Sequence, residues 1–125
     1  FDVEIGATLT IDSTHFSDSI IGVWGKGSVV GTGFECLSAT TSCLRVDGTA
    51  NLSTISSTSS AGVIHVHNGA IATIASIDSN HDSEVLTLEA GSSYSGEIHA
   101  NDFTRMIRAS GTVSATVTPV VTGSG

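Results

Sequence analysis

Glutamine is absent from the 125 residues, and lysine and methionine occur once each. Leucine occurs six times. These unbranched or γ-branched residues favour helices, so their scarcity excludes a mainly helical fold. Bases are scarce as well. Four Lys and Arg stand against 12 Asp and Glu, which leaves a formal charge of −8. Such a surface repels phosphates and anionic headgroups, so no nucleic acid or membrane partner is expected. Long apolar runs are missing too. The longest, Ile20–Trp24, is interrupted by Gly22, and no membrane-spanning segment is expected. No basic and then apolar leader opens the chain, and its first residue is Phe. The chain is therefore expected to be a processed product or a section of a longer protein.

Only two cysteines occur, Cys36 and Cys43. Their spacing permits a local disulfide, with two small buried thiols as the alternative. No histidine lies at ligand spacing from either, which excludes a four-ligand zinc site built on them. Asn51-Leu52-Ser53 is a formal glycosylation sequon of little weight.

What the chain does have is Ser, Thr and Gly, at 20, 16 and 14 residues. Val, Ile and Thr together number 39, so nearly a third of the chain is β-branched. Leu, Ile, Val and Phe number 33, enough for a core and too many for a disordered chain. The length suits one domain, residues 1–125, with one modest core.

A repeat is carried by the glycines. Six segments pair a short apolar strand with a glycine: Val3 to Gly6, Ile20 to Gly25, Leu44 to Gly48, Ile64 to Gly69, Leu86 to Gly91 and Ile107 to Gly111. Their glycines lie 19, 23, 21, 22 and 20 residues apart. A period near 21 with strands in every unit predicts an all-β, parallel β-solenoid of about six coils. The six glycines are expected at one corner, where φ > 0 excludes side chains. Alternation then points Leu44, Val46, Ile64, Val66, Leu86, Leu88, Ile107 and Ala109 inward. Second strands are expected around Leu9 and Ile11, Leu52, Ile71, Tyr94 and Val113. Third strands are expected around Cys36, Ile55, Ile74 or Ile77, Ile98 and Val117. Loops are expected at Ser56–Ser60 and Asp78–Ser83. An antiparallel sandwich is the rival architecture, but Asp47-Gly48 and Asn68-Gly69 fall at one place in the repeat rather than marking hairpins.

With these six Gly-centred coils, spanning Val3 to about Val117, the chain resembles the right-handed parallel β-helices of bacteriophage tailspikes and related polysaccharide-binding proteins. That resemblance implies a homotrimer on the virion tail that binds, and in some cases cleaves, a host surface polysaccharide. It also implies that the chain is one section of a longer helix. No catalytic motif of any one family is present, and the likeness is to an architecture, which does not transmit function. The other class of role is a non-catalytic shaft or adhesin passenger segment, secreted or on a cell surface, that only spaces and trimerises. A stack of six coils stands about 29 Å tall, with strand edges open at both ends, and no capping helix is evident.

The outward residues of the first strands hold most of the reactive chemistry. The glycine alignment places Trp24, Asp47, His67 and Glu89 in one column, and Arg45, His65, Thr87 and Arg108 in its neighbour. As a sugar site, Trp24 would stack on a pyranose ring while Arg45, His65 and Arg108 bind hydroxyls or carboxylates. Asp47 and Glu89, two coils apart, are weak candidates for an acid and base pair at about 9–10 Å, with His67 between them. The bland alternative is a solvated ladder of alternating charge. His65 and His67 lack an evident third ligand, so neither a metal site nor any cofactor is expected. Outward threonines do not recur in one column, which argues against ice binding. Arg105 and Arg108 are candidates for a subunit contact.

Overall fold

The structure, a computed structural model, describes residues 1–12, 14–16, 23–36, 42–57, 62–79, 85–100 and 106–121, with the backbone alone at 14–16. All regular elements among them are strands. They are β1 (Asp2–Val3), β2 (Thr8–Ile11), β3 (Thr14–Phe16), β4 (Val23–Gly25), β5 (Ser28–Cys36), β6 (Leu44–Val46), β7 (Thr49–Ser57), β8 (Ile64–Val66), β9 (Ile71–Ser79), β10 (Leu86–Leu88), β11 (Ser93–Ala100), β12 (Ile107–Ala109) and β13 (Ser114–Val121). No helix among the described residues is long and apolar enough to cross a membrane.

The strands form two parallel sheets. One runs β1-β4-β6-β8-β10-β12, and the other runs β2-β5-β7-β9-β11-β13, with β3 also paired to β5. Each coil contributes a short strand to the first sheet and a long one to the second. This is the parallel β-solenoid expected from the period. The four coils from β4 to β11 have a neighbour on both sides, while β1–β3 and β12–β13 form the open ends. The solenoid thus has about four full turns rather than six equivalent ones.

The core is a set of stacked columns. Leu44, Ile64 and Leu86 lie in register, and so do Val46, Val66 and Leu88; all six are buried. Each such side chain contributes roughly 1.5–3 kcal/mol on burial. Ile107 and Ala109 continue both columns in register, but Ile107 is 43% exposed because no further coil covers it.

The expected second and third strands stay separate in the first coil, as β2 and β3, and are one bent strand in each coil from β5 onward. In β7 the inward residues are Ala50, Leu52, Ile55 and Ser57, and two successive residues, Ser53 and Thr54, face outward between Leu52 and Ile55. The sheet register shifts at the same level in β11, between Ser95 and Glu97. Gly31, Gly33 and Gly96, all with φ between +115° and +147°, mark this bend. Ile71, on an expected second strand, stands in the outward column with Thr49 and Ser93 and is 52% exposed, while Ala72, Ile74 and Ile77 fill the core. The loops expected at Ser56–Ser60 and Asp78–Ser83 begin two residues late, because β7 and β9 run to Ser57 and Ser79. Residues 58–60 and 80–83 lie outside the described residues.

The corners explain why the glycine spacing wanders. Three are four-residue turns closed by Ala7 N–H to Glu4 O, Ala70 N–H to His67 O and Ser92 N–H to Glu89 O. Each has at its third position a glycine, Gly6, Gly69 or Gly91, with φ between +77° and +85°. That is the geometry of a type II turn, which requires φ > 0 there. In the second and third coils the corner is tighter, and Gly27 and Gly48 hold it. A Cβ on either would lie 2.2–2.3 Å from a backbone oxygen. Gly25 is therefore not a corner glycine. It stands in the core column between Val3 and Val46.

Cys36 and Cys43 form a disulfide with Cα atoms 6.1 Å apart, joining the end of β5 to the entry of β6. Closing so short a loop is worth about 2–3 kcal/mol in the chain-entropy account.

Candidate functional site

The exposed face of the first sheet carries two columns of side chains. Pairing fixes the first as Asp2, Trp24, Arg45, His65, Thr87 and Arg108. The second follows one core residue later: Glu4, Lys26, Asp47, His67, Glu89 and Ser110. Trp24 thus belongs with Arg45 and His65, not with Asp47 and Glu89 as the glycine alignment implied. The cause is the two-residue shift at the tight corner, where Gly27 rather than Gly25 matches Gly48 in register. Asp47, His67 and Glu89 do share a column, as do Arg45, His65 and Arg108.

Long side chains bridge the two columns. The Arg45 guanidinium lies 4.1 Å from the centroid of the Trp24 ring, and the Lys26 ammonium lies 5.8 Å from it. The His67 ring meets Trp24 edge-on at 4.7 Å and stacks on His65 at 4.2 Å, within 8° of parallel. Glu89 Oε2 lies 2.6 Å from His65 Nε2 and 2.7 Å from His67 Nδ1. Trp24, Arg45, His65, His67 and Glu89 are therefore brought together. Arg108 lies in register beyond Thr87, at the last coil, and Arg105 falls outside the described residues.

The electrostatics of the cluster follow from this packing. The hydrogen bond from His65 holds the Glu89 carboxyl below its usual range, with His67 and a backbone contact at Asn68 adding and desolvation opposing. An ionised carboxylate only accepts, so both facing ring nitrogens are assigned as N–H donors. Burial holds His67 below the usual histidine range. His65 and Arg45 push the same way, while Glu89 and Asp47 oppose them without reversing the shift. His67 is accordingly a neutral imidazole at pH 7. Its outer nitrogen, Nε2, is buried without a hydrogen-bond partner among the described residues.

Beside this cluster, toward the first coil, lies a groove of about 380 Å³ lined by Phe1, Asp2, Val23, Trp24, Lys26, Ser42 and Arg45. Sequence reasoning missed Lys26 and Phe1. Lys26 was hidden by the same register slip that misplaced Trp24. Correct alignment of the corner would have placed it beside Asp47.

The second sheet presents a different surface. Before the bend its outer columns are Thr8, Ser28, Thr49, Ile71, Ser93 and Ser114, and then Thr10, Val30, Asn51, Thr73, Ser95 and Thr116; beyond it Glu35, Ser56, Asp78 and His99 share a column. Ser28 and Thr49 hydroxyls lie 3.0 Å apart, and Ser95 donates to Thr73 at 3.5 Å. Val30, Asn51 and Ile71 interrupt any continuous threonine rank. Comparison with known protein families, with curated proteins and with solved structures finds no match to this chain.

Proposed function

We propose that the chain binds an acidic surface saccharide through the groove around Trp24, without cleaving it. The observation that supports this reading is the placement of the cations. Two of the four Lys and Arg residues converge on the one tryptophan of a chain whose net charge is −8. An indole ring offers its face to the C–H groups of a pyranose, and the guanidinium and ammonium pair with a uronate carboxylate. Arg45, His65 and Arg108 extend the same column along the stack, suited to successive units of a linear glycan.

Cleavage finds no support in the carboxylates. An inverting glycosidase needs one acid kept protonated by a raised pKa, whereas Glu89 is shifted down and engaged by two imidazoles. In its fuller form the proposal is a receptor-binding section of a phage tailspike or tail fibre. It would sit on the virion tail, work as a homotrimer and engage a host-cell glycan. The disulfide favours an oxidising, extracellular setting, which suits a secreted or cell-surface protein equally. The second reading, a non-binding shaft, is favoured by the other sheet, where Ser28 and Thr49, and Ser95 and Thr73, hydrogen-bond each other from coil to coil.

The test is binding to matched uronate-containing and neutral oligosaccharides. Uronate binding is expected to weaken by about 1–3 kcal/mol in Trp24→Ala and comparably in Arg45→Ala. Equal affinity of both variants and the parent, or no binding to any acidic saccharide, overturns the proposal in favour of the shaft. Glycan hydrolysis that disappears in Asp47→Asn or Glu89→Gln while binding persists overturns its non-cleaving half.

A further inference from the structure

We propose that His65, His67 and Glu89 form a binding site for a divalent cation of the zinc class. Once the ion displaces the proton that each ring directs at Glu89, to the ring's other nitrogen or to solvent, the three residues offer two imidazole nitrogens and one carboxylate oxygen, all within 4.8 Å of one another. This is a His2Glu donor set, one of the sets that leave zinc a fourth position open. Among the described residues no other group of three His, Cys, Asp or Glu donors converges in this way. The Glu97–His99 pair on the second sheet has only two members.

The backbone builds the site before any ion arrives. His65 and His67 are two residues apart on the edge of β8, so both project from one face, and Glu89 comes from the adjacent coil one strand spacing away. The rings stack, which fixes their orientation. The two nitrogens meet at a single carboxylate oxygen at 2.6 and 2.7 Å. Bonds of 2.0–2.1 Å in a tetrahedron put donor atoms about 3.3 Å apart. Glu89 needs to retreat by roughly 0.6–0.7 Å to reach that separation, and the two ring nitrogens, which lie within 4.8 Å of one another, need to settle at the same spacing. The Glu89 side chain is 36% exposed, against 26% and 16% for the histidines, so it has the most room to adjust.

Charge is arranged to match. Asp47 and Glu89 flank His67 in its column and offset the added positive charge. Arg45, the nearest cation, is drawn over the Trp24 ring. A three-ligand set of this kind leaves a fourth position for water.

The test is a zinc titration of the full chain by calorimetry, after treatment with a chelator that is then removed. One equivalent is expected to bind, and the chain's melting temperature is expected to rise with it. Glu89→Gln, which keeps size and hydrogen bonding, is expected to lose at least tenfold in affinity, as are His65→Ala and His67→Ala. His99→Gln is expected to bind as the parent does. Cobalt in place of zinc is expected to give the intense visible bands of a tetrahedral site in the parent and not in Glu89→Gln. Absence of stoichiometric binding, or binding unchanged in all three ligand variants, overturns the proposal and leaves the cluster a hydrogen-bonded ladder. Saccharide affinity measured with chelator present reads the groove separately, so failure of either site is visible without the other.

Discussion

Tyr94 occupies a core column with Ala72 and Ala115 in register on either side. It is 2% exposed, and burial raises its hydroxyl pKa far above the usual tyrosine range. That hydroxyl has no hydrogen-bond partner among the described residues. The ring therefore stabilises the stack, while the oxygen carries a desolvation cost with no return. Tyr94→Phe is expected to keep the fold and to leave stability unchanged or raise it by up to about 1 kcal/mol. A loss of more than about 1 kcal/mol in denaturant unfolding would show that the hydroxyl is satisfied after all. The same residue-scale view applies to Trp24. Its place on the exposed face was legible from alternation alone, but its partners were not. Arg45 reaches it along its own column and Lys26 and His67 from the next, and side-chain reach is invisible to a spacing argument.

At the scale of the element, the glycines divide into those that bend the chain freely and those wedged against the neighbouring coil. Gly69 has φ +77° and nothing within 4 Å of the place a Cβ would take. Gly96 has φ +147°, and its Cβ would lie 1.7 Å from the carbonyl oxygen of Ile74. Gly69→Ala is expected to cost about 1–2 kcal/mol, the ordinary penalty of a left-handed residue. Gly96→Ala is expected to cost about 2–4 kcal/mol, because strain and a backbone clash add at one position. Equal melting temperatures for the two variants would contradict this division. It also explains what the sequence disclosed. The parallel stack, the period and the inward columns Leu44–Ile64–Leu86 and Val46–Val66–Leu88 follow from glycine recurrence and alternation. Two things did not follow. Glycines mark both corners and mid-strand bends, so Gly25 passed for a corner when Gly27 held it. The double outward step at Ser53–Thr54 broke the period of two, so one bent strand read as two. The convergence of Glu89 on His65 and His67 depended on stacking one coil on the next, which becomes visible only once the corner lengths are known.

Taken as a whole molecule, the solenoid is unequal at its two ends and on its two faces. The first sheet concentrates charge and aromatic groups near its start, while the second offers mostly small hydroxyls before its bend and carries Glu35, Asp78, Glu97 and His99 beyond it. At the far end, β12 and β13 have a neighbour on one side only. Ile107 and Val121 there are 43% and 53% exposed, and Ala115, Val117 and Pro119 continue core columns with nothing stacked on them. Water on such a surface costs about 25 cal/mol per Å² of apolar area, and an open parallel edge pairs readily with another chain. Either a further coil or a neighbouring chain covers such a surface, and in the proposed homotrimer these end coils would pack together. Sedimentation at micromolar concentration is then expected to give three times the chain mass of 12.6 kDa. Charged substitutions at the exposed end, Ile107→Lys with Val121→Lys, are expected to release monomer without unfolding the four inner coils. A parent chain that sediments as a stable monomer at that concentration would remove the trimer from the proposal, and with it the part of the tailspike reading that depends on assembly. The groove at Trp24 lies at the opposite end of the stack, so Val121→Lys alone, which is remote from both Trp24 and Arg108, is expected to leave monosaccharide affinity at the groove unchanged.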